Sequence, residues 1–134
     1  AVEPFVEELL RYLSVVQVAF PRIAQHPMQV GERSVRAAGI VVCSLSGANR
    51  DPALCPHPER FDPTRPPTRH VAFGHGIHRC VGAELARLEL RIAFPALVRR
   101  FPGMGLAVAP EQLQFRRSSI VHGIDRLPVT LGPR

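Results

Sequence analysis

Apolar residues open the chain with a helical rhythm. Val6, Leu9, Leu10 and Leu13 recur at i, i+3, i+4 and i+7, and Pro4 suits a first helical turn. The spacing predicts a short amphipathic helix over 1–13, with Glu8 and Arg11 three apart on its other face and within reach of each other. The rhythm then changes. Residues 14–20 are rich in valine and read as a strand that ends at Pro21-Arg22, while 28–30 and 34–42 read as short strands around the turn Gly31-Glu32-Arg33. A small sheet over 14–48 is the expectation. Periodicity then disappears, and Pro52, Pro56, Pro58, Pro63, Pro66 and Pro67 predict a long ordered coil within 49–72. A stretch of that length without regular structure points to function.

Helical spacing returns over 83–100. Ala86, Leu90, Ala93 and Leu97 form one stripe, Leu85, Leu88 and Ile92 a neighbouring one, and Glu84, Arg87 and Arg91 a narrow polar one. A helix apolar over most of its circumference belongs inside a protein larger than this one. Pro95 lacks an N–H and clashes with the carbonyl of Arg91, which predicts a kink or an early end. Within 101–134, residues 106–108, 113–115 and 127–131 read as strands, with a turn around His122-Gly123.

Composition narrows the partners. The net charge of +6 comes entirely from arginine, since there is no lysine, and the arginines are scattered rather than clustered with aromatics. That argues against nucleic acid and suits an acidic protein partner. No stretch approaches the apolar length of a membrane span, and the N-terminus shows no export signal, so a soluble, cytoplasmic protein is expected. Cys43, Cys55 and Cys80 are an odd count without disulfide-framework spacing, which fits a reducing compartment.

The candidate chemistry lies in Phe73-Gly74-His75-Gly76-Ile77-His78-Arg79-Cys80-Val81-Gly82. A cysteine in a glycine-punctuated loop that turns directly into a helix sits near unpaired N–H groups and the positive end of the helix dipole, a setting that favours thiolate and predicts N–H donors to the sulfur. The glycines let a flat, bulky ligand approach the backbone. Two plainer readings use the same residues: a buried cysteine that only fills space, or a small zinc site from His75, His78 and Cys80 with His70, which no Cys-x-x-Cys pair accompanies.

The order Phe73, Gly76, His78, Cys80, Gly82 resembles the haem-binding signature of cytochrome P-450. The resemblance implies that the fold is the C-terminal part of the cytochrome P-450 fold, incomplete: mainly α with small β-sheets (α+β). The sheet over 14–48, the meander-like coil over 49–72, the haem-ligand loop over 73–82, the helix over 83–100 and the C-terminal strands over 101–134 then follow in order. It implies haem b (iron protoporphyrin IX), with Cys80 as axial thiolate and metal ligand, and no catalytic residue beyond it. Arg22 and His78 would meet the haem propionates.

Glu8 and Arg11 resemble the family's Glu-x-x-Arg pair, buried and locked by a later arginine whose counterpart here is Arg60; alone, the pair would be a weak surface contact. The resemblance covers nearly the whole chain but only about a third of a family member, so the distal helix and the substrate lid lie outside it. The expected function is a bacterial soluble haem-thiolate monooxygenase that hydroxylates a small lipophilic substrate with electrons from an acidic ferredoxin-like donor. Residues around 16–20 and 119–121 would touch that substrate, and Arg79, Arg87 and Arg91 are candidates to dock the donor. The alternative is a catalytically inert remnant that binds haem weakly or not at all.

Overall fold

A computed structural model describes residues 1–132; the last two residues of the 101–134 segment lie outside the described residues. Helix α1, Val2–Leu13, stops at Ser14, which adopts a left-handed conformation (φ 41°) while its N–H donates to the Leu10 carbonyl at 3.0 Å. That conformation is costly for a residue with a Cβ. Here it is held by the Ser14 hydroxyl, which donates to the Arg11 carbonyl at 2.7 Å and accepts from Asn49 Nδ2 at 2.8 Å.

Three antiparallel pairs of very short strands follow among the described residues: β1, Arg22–Ile23, with β4, Ile40–Val41; β2, Met28–Val30, with β3, Arg33–Val35; and β5, Gly105–Leu106, with β6, Val129–Thr130. The valine-rich stretch after Ser14 does not form the expected strand. It is tied down through single bridges, Val16 to Val121 and Val18 to Ser44, so it spans two neighbours instead of joining one ladder. Residues 113–115 likewise contribute one bridge, Phe115 to Ile124. A short helix α2, Leu45–Ala48, begins where Ser44 Oγ accepts the Gly47 N–H at 3.0 Å.

Helix α3, Ala83–Arg100, runs through Pro95, so of the two expectations, a kink or an early end, the early end does not occur. Phe94 packs edge-on against Phe5 of α1 at 5.4 Å, which holds α3 on α1 at the level of the proline. Phe5 also meets Phe61 of the coil at 5.8 Å, and Phe61 meets Tyr12 at 5.7 Å. The fully sheltered interior is nevertheless as polar as apolar: Val6, Ala24, Cys55 and Ala83 on one side, Glu8, Arg11, Ser14 and Asn49 on the other. Leu85, Leu88, Ile92 and Val98 of α3 are exposed.

Candidate functional site

The site is built outward from Arg11, which has no exposed surface. Its guanidinium grips Glu8 through two bonds, Nε to Oε2 at 2.7 Å and Nη2 to Oε1 at 2.8 Å. The other three N–H groups donate to backbone carbonyls of the coil: Nη1 to Asn49 at 2.8 Å and Pro58 at 2.7 Å, Nη2 to Arg60 at 3.0 Å. All five donors of the side chain are satisfied. Burial raises the Glu8 carboxyl, but the hydrogen bonds from Arg11 and the Asp62 N–H outweigh it and hold the group below its ordinary range.

The third arginine is Arg65, not Arg60. Arg60 offers only its carbonyl, and its side chain is exposed. Arg65 Nε lies 3.4 Å from Glu8 Oε1, and its Nη atoms donate to the carbonyls of Pro56, His57 and Arg60. Both arginines sit in a coil without periodicity, so nothing in residue type separated them. The geometry does: only Arg65 turns back under its own loop.

Asn49 carries the frame on toward the cysteine. Its Oδ1 accepts the Val71 N–H at 2.7 Å, just ahead of the loop. A second acidic centre stands beside the first. Glu7 receives Arg87 of α3 at 2.7 and 3.0 Å, and its Oε2 lies 3.1 Å from His70 Nε2. His70 Nδ1 accepts the Ala72 N–H at 3.3 Å, so the proton sits on Nε2 and the ring donates to Glu7. Burial above all pushes the His70 pKa below its usual value, against the pull of Glu7. For Glu7, burial raises the carboxyl, and the bonds from Arg87 and His70 bring it below the ordinary range. Sequence reading did not find this centre. The signal was there as two matched stripes: Glu3 and Glu7 on α1, Arg87 and Arg91 on α3, each pair four apart, with Arg91 2.8 Å from Glu3.

The loop itself is shaped by its backbone. Gly74 (φ 73°) and Gly76 (φ 77°) occupy the left-handed region, and a Cβ at Gly76 would meet nothing within 4 Å. Gly76–His78 forms a single tight turn, the Cys80 N–H donates to the Phe73 carbonyl at 2.8 Å, and α3 starts at Ala83 directly afterwards. The Arg87 guanidinium lies 4.9 Å from the centre of the Phe73 ring. Cys80 is exposed, as are Ile77 at 96% and Val81 at 103%. Among the described residues no N–H donates to the Cys80 sulfur, contrary to expectation; Gly82 comes near it, with a Cβ position 3.9 Å from Sγ.

The family model for cytochrome P450 matches residues 2–111. The chain belongs to the cytochrome P450 family. A bacterial cytochrome P450, 165B3 from Amycolatopsis orientalis, is 48% identical over 124 residues, which is 92% of this chain and 31% of that protein. The solved structure of the P450 StaH from glycopeptide antibiotic biosynthesis matches with a TM-score of 0.88 and 52% identity, covering 96% of this chain and 35% of that one. OxyC, a cytochrome P450 implicated in an oxidative C–C coupling reaction during vancomycin biosynthesis, matches with a TM-score of 0.90 and 48% identity over 96% of this chain and 32% of its own. The chain thus spans about a third of the length of the relatives it matches, and its fold of helices and small sheets is that third of a cytochrome P450.

Membership of the cytochrome P450 family implies haem, and the residues present fit it. An exposed thiol stands in a loop whose glycine leaves the backbone open, flanked by the apolar Ile77 and Val81. Arg22 and His78 are exposed, and among the described residues neither pairs with a carboxylate; Arg22 donates only to the Phe20 carbonyl, at 3.0 Å. A sulfur ligand, an apolar surround and free donors are what a flat dianionic iron macrocycle requires. The zinc alternative finds no support, because among the described residues no group of His, Cys, Asp or Glu is placed to hold a metal ion, and His70 is committed to Glu7. All three candidate docking arginines are already paired within the chain: Arg79 and Arg87 with the exposed Glu84, Arg87 also with Glu7, and Arg91 with Glu3. No helix is long and apolar enough to cross a membrane among the described residues.

Proposed function

We propose that this chain is the part of a bacterial haem-thiolate monooxygenase that holds the iron from the cysteine side, with Cys80 as the axial ligand of haem b. The single observation that carries the reading is the exposed Cys80 thiol at the head of α3, in a loop that Gly74 and Gly76 fold through positive φ. When bound, the haem supplies oxygen activation and transfer to an organic substrate. The chain's own residues have narrower tasks. Cys80 would hold the metal through its sulfur as a thiolate, Gly76 would leave the backbone open to the macrocycle, and Phe73 and Gly82 bound the loop on either side. Arg22 and His78 supply donors for the propionates, anions that need partners when part-buried.

The substrate is a small lipophilic compound. Two supports are the facing segments after α1 and near the C-terminus, which are hydrogen-bonded together (Gln17 N–H to the Ile120 carbonyl at 3.0 Å), and their exposed apolar side chains Phe20 and Ile120. Electrons come from a ferredoxin-like donor whose acidic surface the arginine-rich chain attracts. Three free cysteines suit the cytoplasm.

A haem titration followed by the reduced carbon-monoxide difference spectrum tests the assignment. A strongly red-shifted Soret band that Cys80→Ser abolishes is the expected result. Retention of that band in Cys80→Ser, or no uptake by the wild-type chain, overturns it; the second outcome would mark the chain as an inert remnant.

A further inference from the structure

His70 precedes the Cys80 loop in the chain and Arg87 lies one turn into the helix that follows it; Glu7, on a different helix, binds both. We propose that Glu7 is a positioning residue for the Cys80 thiolate, closing the loop at its two ends. The inference rests on the haem-thiolate reading for its consequence, although the closure itself is a property of the haem-free chain.

The connection is continuous. Glu7 fixes the His70 ring through Nε2, and the same ring accepts the Ala72 N–H, setting the backbone immediately before Phe73. On the other side Glu7 takes Arg87 through both oxygens in a bidentate pair, a geometry a point charge does not impose. Arg87 then lies on the Phe73 ring, and the Phe73 carbonyl accepts the Cys80 N–H. Only one hydrogen bond therefore separates the clamp from the ligand's own backbone. Arg87 is 14% exposed and Glu7 32%, so the pair is part-buried. The neighbouring Glu84 draws on Arg79 and Arg87 from the exposed side and is not a substitute, being 75% exposed. Glu7 and Glu8 thus divide the work: Glu8 anchors the coil to α1, and Glu7 anchors the loop and α3.

The test measures amide hydrogen exchange at Cys80 and Ala72 in the haem-free 134-residue chain, then the reduced carbon-monoxide spectrum after haem loading. Glu7→Gln keeps size and removes charge. It is expected to speed exchange at both amides about tenfold while leaving the Val71 amide, held by Asn49, at its wild-type rate. After loading, part of the thiolate band should move to the position of a neutral or replaced ligand. Arg87→Gln should act alike from the opposite side, and Glu7→Asp should restore much of the band. Glu3→Gln, whose ion pair among the described residues is with Arg91, leaves the Glu7 bonds to His70 and Arg87 in place and should leave exchange at both amides at the wild-type rate. Wild-type exchange at Cys80 in both Glu7→Gln and Arg87→Gln overturns the proposal. Faster exchange in variants of a chain that gives no thiolate band upholds the closure and overturns the haem reading instead.

Discussion

Removing Glu8 tests whether a buried charge network holds the coil in place. In Glu8→Ala, Arg11 keeps its charge at 0% exposure and loses two of its five acceptors, while the Asp62 N–H and Arg65 Nε lose theirs. Stranding one partner of a buried pair costs about 3–5 kcal/mol, a large share of the ~5–15 kcal/mol that stabilises an ordinary domain. Arg65→Ala removes the donor to three coil carbonyls but leaves the Glu8–Arg11 pair intact, and should cost about 1–3 kcal/mol. Arg60→Ala leaves the carbonyl that Arg11 uses and deletes only an exposed side chain, so it should stay within about 0.5 kcal/mol of wild type. Urea unfolding of the haem-free chain, followed by far-ultraviolet circular dichroism, gives the order directly. Should Glu8→Ala prevent folding, Glu8→Gln keeps one acceptor oxygen and should fall between the first two. An Arg60→Ala loss equal to that of Arg65→Ala would refute the choice of third arginine, and a Glu8→Ala loss below about 1 kcal/mol would refute the network's burial.

Further tests use pH and the loop. Because burial depresses the His70 pKa below 6.5, the unfolded chain binds that proton first, so stability should fall as pH drops from about 6.5 toward the folded value; His70→Gln should remove this limb of the pH–stability curve. Glu7 and Glu8 are depressed below 4.5, so their stabilisation is present above that pH and should be lost at lower pH, as each is protonated through its folded value; Glu8→Gln should flatten that lower limb. Gly76→Ala has open space for its methyl but φ of 77°, so a loss of about 1–2 kcal/mol, seen in the same unfolding assay, should come from conformation alone.

What the sequence disclosed and what it hid follow from how each contact is encoded. The Glu8–Arg11 spacing and the glycine-bracketed Cys80 are local, and local spacing is legible. The helical period, however, placed Glu8 and Arg11 opposite the apolar face, whereas both are buried and Leu13 is 45% exposed. A fully paired ion network had displaced the usual preference. The partners of Arg11 in the coil are carbonyls, which every residue owns, so no residue type announced them. Nor did the valines at 15, 16 and 18 reveal that two different neighbours share their stretch. The Glu7–His70–Arg87 centre joins residues far apart in sequence, and only the matched charge stripes of two helices hinted at it.

Arg11 also acts as a ruler. Carbonyls at positions 49, 58 and 60 must all arrive at one rigid guanidinium fork, so the intervening chain has a fixed contour although it has no helix or sheet to fix it. Loops ordinarily tolerate insertions. Here one added or deleted residue between Asn49 and Pro58 would either leave a buried donor without an acceptor or shift every later residue against α1. The irregular segment is therefore length-locked, and substitutions at its exposed positions should be accepted far more readily than any change in its residue count.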